Sequence, residues 1–97
     1  MAVGDVVTGI SSVAATTGTL DIKPGAGVEW VIHNIYYNGG TVEFWKTDGT
    51  NLLKFDSDTA QGARLGAMFH CTNAQWIQMK NTSAGAVLIG YDGIQTK

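Results

Sequence analysis

The sequence predicts an all-β chain: a small antiparallel β-sandwich or jelly roll of about seven to eight strands, with an extended N-terminal arm. Residues 1–18 read as that arm or an edge strand, and residues 19–97 as the sandwich. Three observations predict this class. Every apolar segment is short and stops at a cluster of Gly, Asn, Asp or Ser, so no stretch sustains the period of a long helix. Thirteen Gly and one Pro supply those stops. Apolar and polar residues alternate along the clearest segments, which recur at roughly ten-residue spacing, as in sandwiches and jelly rolls.

The opening stretch MAVGDVVTGISSVAATTG is rich in small residues, Thr and Ser, and reads as an arm with at most one edge strand. Thr19 to Ile22 makes a strand, stopped by Lys23-Pro24-Gly25-Ala26-Gly27, where proline sets φ and glycine accepts positive φ. Val28 to Tyr37 is the longest strand candidate. Asn38-Gly39-Gly40 is a strong hairpin signal, from which Thr41 to Thr47 returns antiparallel. Asp48-Gly49-Thr50-Asn51 turns the chain into Leu52 to Phe55, and the three segments read as a meander.

Asp56 to Ala63 reads as a polar loop. Arg64 to Cys71 then alternates Leu65, Ala67, Phe69 and Cys71 against Gly66, Met68 and His70, which is period two. Gln75 to Lys80 repeats the alternation and Asn81 to Gly85 turns. Ala86 to Tyr91 runs up to Asp92-Gly93 before a last short strand around Ile94.

Ninety-seven residues make one domain. Area scaling gives about 5,400 Å² folded against about 15,000 Å² extended, so a monomer buries only some 64% of its surface and a partner subunit would help. Six Lys and Arg stand against eight Asp and Glu, a balance of -2, which leaves no basic footprint for nucleic acid. Charged residues are only 14% of the chain and hydrophobic ones 44%. That charge is sparse for a free small domain and implies that other protein covers part of the surface.

Cys71 is the single cysteine, so no intramolecular disulfide forms, and it reads as a small buried hydrophobe. The opening carries no basic n-region and no apolar run of about 18 residues, so neither a secretory signal nor a membrane span is expected. The expected product is soluble and made in a cytoplasm.

Candidate chemistry is thin. Asp56-Ser57-Asp58 is the tightest carboxylate pair, with Asp48 close in sequence, but a calcium site takes about six to eight oxygens and the Gly-spaced calcium loop is missing. The pair reads as a solvated turn. His33 and His70 fall within strands and have no second ligand at metal spacing. Cys71 follows His70 directly, so on a strand the two side chains leave on opposite faces and cannot pair as nucleophile and base. No G-x-S-x-G, P-loop or dinucleotide fingerprint occurs. Neither an enzyme, a cofactor nor a bound metal is expected.

The aromatic residues carry more. From Val28 to Tyr37, one face holds Val28, Trp30, Ile32, Asn34 and Tyr36, and the other Glu29, Val31, His33, Ile35 and Tyr37. Both are largely apolar. With Phe44 facing in, Trp45 faces out; with Ile77 and Met79 facing in, Trp76 faces out; Met68 falls opposite Leu65 and Phe69. A monomeric sandwich should have one polar face per strand. Tyr37, Trp45, Met68 and Trp76 are therefore candidates for a subunit interface, where aromatics and Met are enriched. A carbohydrate-stacking platform and ordinary core packing with the faces exchanged stay open as alternatives.

The segments Gly27 to Tyr37 (GVEWVIHNIYY), Thr47 to Thr59 (TDGTNLLKFDSDT) and Lys80 to Lys97 (KNTSAGAVLIGYDGIQTK) resemble small virion proteins of tailed bacteriophages. The resemblance implies a capsid decoration or cement protein, a homo-oligomer (dimer or trimer) that binds the major capsid protein on the outer capsid surface. It carries over no catalytic residue. On that reading the low-charge, Gly- and Thr-containing arm Met1 to Gly18 is expected to contact the capsid or exchange a strand with a neighbour, so that removing residues 1–17 abolishes particle binding while leaving the fold intact. The competing function is a carbohydrate- or receptor-binding module that stacks sugars on Tyr37, Trp45 or Trp76.

Overall fold

The computed structural model describes residues 2–97, and these are all-β, in two antiparallel sheets packed face to face. The nine strands are β1 (Val6–Val13), β2 (Gly18–Ile22), β3 (Glu29–Tyr37), β4 (Thr41–Thr47), β5 (Leu52–Thr59), β6 (Gly62–Arg64), β7 (Phe69–Thr72), β8 (Trp76–Asn81) and β9 (Val87–Gln95). The first sheet runs β1-β9-β3-β6, with β7 pairing the other half of β3 in line with β6. The second runs β2-β8-β4-β5.

This order is a hairpin rolled up on itself. β1 pairs β9, β2 pairs β8, β3 pairs β6 and β7, and β4 pairs β5. Val6 sits opposite Ile94, Gly18 opposite Asn81, Ile35 opposite Arg64 and Thr47 opposite Leu52. Partners therefore lie about equally far on either side of the Asp48–Asn51 turn, and the nested arrangement is a jelly roll. That central turn is built locally. Asp48 Oδ1 accepts from the N–H groups of Thr50 and Asn51 at 2.9 and 2.6 Å, Oδ2 accepts from Asn51 Nδ2, and Gly49 takes φ of 93°. The same bonds hold the Asp48 carboxyl down at about 2.

The core between the sheets comes from β1, β2, β3, β4, β7, β8 and β9, while β5 and β6 bury no side chain fully. Val7, Val13, Ile32, Ile35, Val87 and Ile89 face Ile22, Val42, Phe44, Ile77 and Met79, all buried. Each contributes about 1.5–3 kcal/mol relative to staying exposed. The chain exposes 5138 Å², close to the area that its mass implies.

Several expected elements change. Asn38-Gly39-Gly40 does not close a hairpin: β3 and β4 lie in different sheets, and the turn, with φ of 150° and 67° at its glycines, arches the chain from one to the other. The polar stretch 56–63 is the second half of β5 and the start of β6, and 64–71 is broken into β6, a loop and β7. Asp92-Gly93 does not turn; the strand runs through it to Gln95. Of the two readings of residues 1–18, arm or edge strand, the second holds for 6–13, which form the edge strand β1 along β9, while Met1 lies outside the described residues. Val7 and Val13 enter the core, so β1 packs with the two sheets and is not a detached arm.

A tie of polar groups closes the end where β1 leaves the first sheet. Asn81 is fully buried, and its Nδ2 lies 3.0, 3.2 and 2.9 Å from the carbonyls of Val13, Ala14 and Gly85. Its Oδ1 accepts from the Ser83 N–H and hydroxyl. One amide thereby joins β1, β8 and the β8–β9 loop.

Candidate interaction surfaces

The four expected interface residues do not share a surface. Tyr37 is 4% exposed, with its ring edge-on to Phe44 at 5.8 Å. The cause is a β-bulge: against β9, Ile32 pairs Gly93 and Asn34 pairs Asp92, leaving His33 as an extra residue. One extra residue inverts the alternation, so Ile32 before it and Ile35 and Tyr37 after it all face the core. Strict period two placed Tyr37 on the wrong side.

Trp76 points away from Ile77 and Met79, but it is only 8% exposed because its own chain covers it. The Lys23 ammonium sits 4.0 Å from the ring centroid, Asp21 accepts from the indole N–H at 3.1 Å, and Gly49 lies against the ring. Trp45 lies half-buried on the same outer face, donating to Glu43 at 3.1 Å with Lys80 at 6.0 Å from its ring. Only Met68 is freely exposed, at 67%. With Leu53 and Phe55 it lines a cleft of about 280 Å³ at the mouth between β5 and β7.

The larger apolar surface is one that strict alternation missed, the outer face of the first sheet. Register sets its side chains in rows. Val6, Ile94 and Val31 form one; Thr8, Asp92 and Asn34 the next; Ile10, Gly90 and Tyr36 a third; Ser12 and Leu88 the last. Val6, Ile10, Tyr36, Leu88 and Ile94 are all exposed. Because Gly90 has no side chain, Ile10 and Tyr36 stand as walls of an open trough of about 650 Å³. Asp92 is tied down, accepting from Asn34 at 2.6 Å and from the Tyr36 hydroxyl at 2.7 Å. The Tyr36 hydroxyl is raised above its ordinary pKa by that bond. The outer face of the second sheet is different: Asp21, Glu43, Lys54 and Lys80 project from it, and Glu43 pairs Lys54 at 2.9 Å.

The remaining polar candidates have structural partners. Arg64 on β6 bridges to β5, 2.7 Å from Asp56 and 3.3 Å from Asp58, while Tyr37 donates to Asp58 and accepts from Arg64. The Asp56-Ser57-Asp58 pair is thus a clasp between the two sheets and not a solvated turn. Arg64 holds the Asp56 carboxyl below its usual range, the Tyr37 hydroxyl chiefly does so for Asp58, and burial pushes Tyr37 up to about 12. His33 Nδ1 lies 3.0 Å from the Ala67 carbonyl. Cys71 is fully buried and its thiol is pushed up to about 11 by desolvation. Among the described residues, no three His, Cys, Asp or Glu side chains gather as a metal site would require.

No known protein family matches the chain, and no curated protein sequence does either.

Proposed function

We propose that this chain is a structural virion protein of a tailed bacteriophage, a capsid decoration or cement protein. It docks on the outer surface of the major capsid shell and stabilises it. The observation that carries this reading is the grouping of most of the exposed large hydrophobics, Val3, Leu52 and Leu65 apart. Val6, Ile10, Tyr36, Leu88 and Ile94 share one sheet face, and Leu53, Phe55 and Met68 share one cleft, so they are not scattered singly. Grouped apolar surface of this kind marks protein contact. The resemblance of the segments at 27–37, 47–59 and 80–97 to small virion proteins supplies the identity of the partner.

The carbohydrate alternative is weakened, because Tyr37 and Trp76 are covered by their own chain and offer no open ring for stacking. Co-sedimentation with shells assembled from a major capsid protein alone tests the proposal. Saturable binding is expected, lost in Met68→Asp or Tyr36→Asp variants that melt like the parent. A folded parent chain that stays in the supernatant, or that binds a glycan array instead, would overturn it.

A further inference from the structure

We infer that the free edge of β1 is a seam for a second copy of this chain, the two β1 strands pairing antiparallel about a two-fold axis. β1 pairs with β9 on one side only and, among the described residues, has no partner strand on the other. An unpaired edge offers a row of N–H and C=O groups to another chain unless the protein blunts it.

Three of the four edges are blunted. β2 is five residues long and carries Asp21. β5 carries Lys54, Asp56 and Asp58 and is bulged at Phe55. The remaining edge of the first sheet is divided between the three residues of β6 and the four of β7. β1 has none of these devices. Its eight residues, VVTGISSV, hold no charge and no proline, and their register with β9 has no shift.

The bonding direction identifies which groups are free. Leu88 and Asn38 exchange bonds, the Leu88 N–H to the Asn38 side chain at 2.9 Å and the Asn38 N–H to the Leu88 carbonyl at 3.2 Å, so Leu88 faces β3. Gln95 donates to the Asp5 carbonyl and faces the β1 side. Alternation along an antiparallel ladder then turns Val87, Ile89, Tyr91 and Gly93 towards β1, where they bond Val13, Ser11, Gly9 and Val7. Val6, Thr8, Ile10 and Ser12 therefore present their backbone groups to the open edge.

A second copy fits this edge better than a foreign strand does. Each chain carries one such edge, so a two-fold pairing satisfies both at once and closes, since the guarded edges stop further growth. Pairing centred near Gly9 or Ile10 sets Val, Thr, Ile and Ser opposite one another with no like charges in register. It also joins the two apolar outer faces into one. The pairing is a property of the isolated chain and does not depend on the capsid reading.

Sedimentation velocity over a dilution series, with residue-resolved amide exchange on the same samples, tests it. The expected result is a species of twice the 10.3 kDa chain. In step with its population, exchange at Val6, Thr8, Ile10 and Ser12 slows by roughly tenfold or more, while Val7, Gly9, Ser11 and Val13 are protected throughout. Ile10→Lys, a charge at a side chain 72% exposed, is expected to give a folded monomer with the four outer amides fast. Thr8→Lys serves if that variant fails to fold.

A chain that is monomeric at every concentration overturns the inference. So does a dimer whose four outer amides still exchange fast, or one that survives the lysine. Protection that arises only when capsid shells are added would show a foreign strand at the edge, overturning self-pairing while leaving the capsid reading in place. A dimer that binds no capsid has the opposite consequence.

Discussion

Replacing Asn81 with Asp changes one amide nitrogen to oxygen at a fully buried site, and the structure sets what that costs. The parent Nδ2 supplies two hydrogens to three carbonyls at 2.9–3.2 Å. Asn81→Asp removes both donors and points a carboxylate at the Val13, Ala14 and Gly85 oxygens. Two lost hydrogen bonds account for about 1–3 kcal/mol, and leaving buried acceptors without donors adds to that. An uncompensated buried charge costs about 3–5 kcal/mol where measured, so the loss at neutral pH is expected to be at least about 3 kcal/mol. Typical domains have only about 5–15 kcal/mol in all.

Urea denaturation of parent and variant reads this directly. The sign of the pH dependence is a second check. Burial beside three carbonyls raises the new carboxyl above its unfolded value of about 3.9. The protonated form then favours folding, and the deficit grows as pH rises from that value through the folded one. A loss below about 1 kcal/mol, or a deficit that does not change with pH, would refute the assignment of this amide as the tie between β1 and the β8–β9 loop.

Four further outcomes follow from the same geometry. A Cβ at Gly93 would lie 2.1 Å from the Val31 carbonyl oxygen and 2.7 Å from Ile32 Cα, both backbone; Gly93→Ala should therefore lose about 2–3 kcal/mol or more by thermal melting. Gly85→Ala, with open space around it, should stay within about 0.5 kcal/mol. Arg64→Leu should flatten the acid limb of stability, chiefly through Asp56, whose depression rests on Arg64: that carboxylate contributes fully above about pH 3.9 and loses its contribution as pH falls through its lower folded value, whereas Asp58 keeps its bond from Tyr37. Cys71 should resist alkylation at neutral pH in the native protein and react once the chain is unfolded, because the buried thiol is both enclosed and raised to about 11.

The integrated position of β1 also reverses one expectation about the N-terminus. Removing residues 1–17 takes Val7 and Val13 from the core, strips β9 of one of its two partner strands and leaves the Asn81 amide without two of its acceptors. Such a truncation is expected to unfold the domain and cannot serve as a test of binding alone.

How much could be read in advance divides by range. Leu65 and Met68 sit in a loop although their alternation is good, because β6 and β7 pair the two halves of β3 on the edge away from β9, and the chain between them passes the bulge at His33, whose carbonyl accepts from the Ala67 N–H at 2.9 Å. The Arg64 clasp was illegible for a related reason. Asp56, Asp58 and Tyr37 meet Arg64 only because β5 and β6 end on the same side of two different sheets.

The sequence by itself determined the class and the inward set of the regular strands. Short apolar runs, turn clusters and alternation are local properties, and they placed Val42, Phe44, Ile77 and Met79 in the core and Trp45 outside it. Only the tertiary structure decided which strands are neighbours and which apolar face stays open. Asn38-Gly39-Gly40 suits a hairpin and an inter-sheet arch equally, and the choice is made by which arrangement buries both ends. A single extra residue at His33 then exchanged the faces of β3, drawing Tyr37 into the core and leaving Tyr36 beside Ile10 on the uncovered sheet.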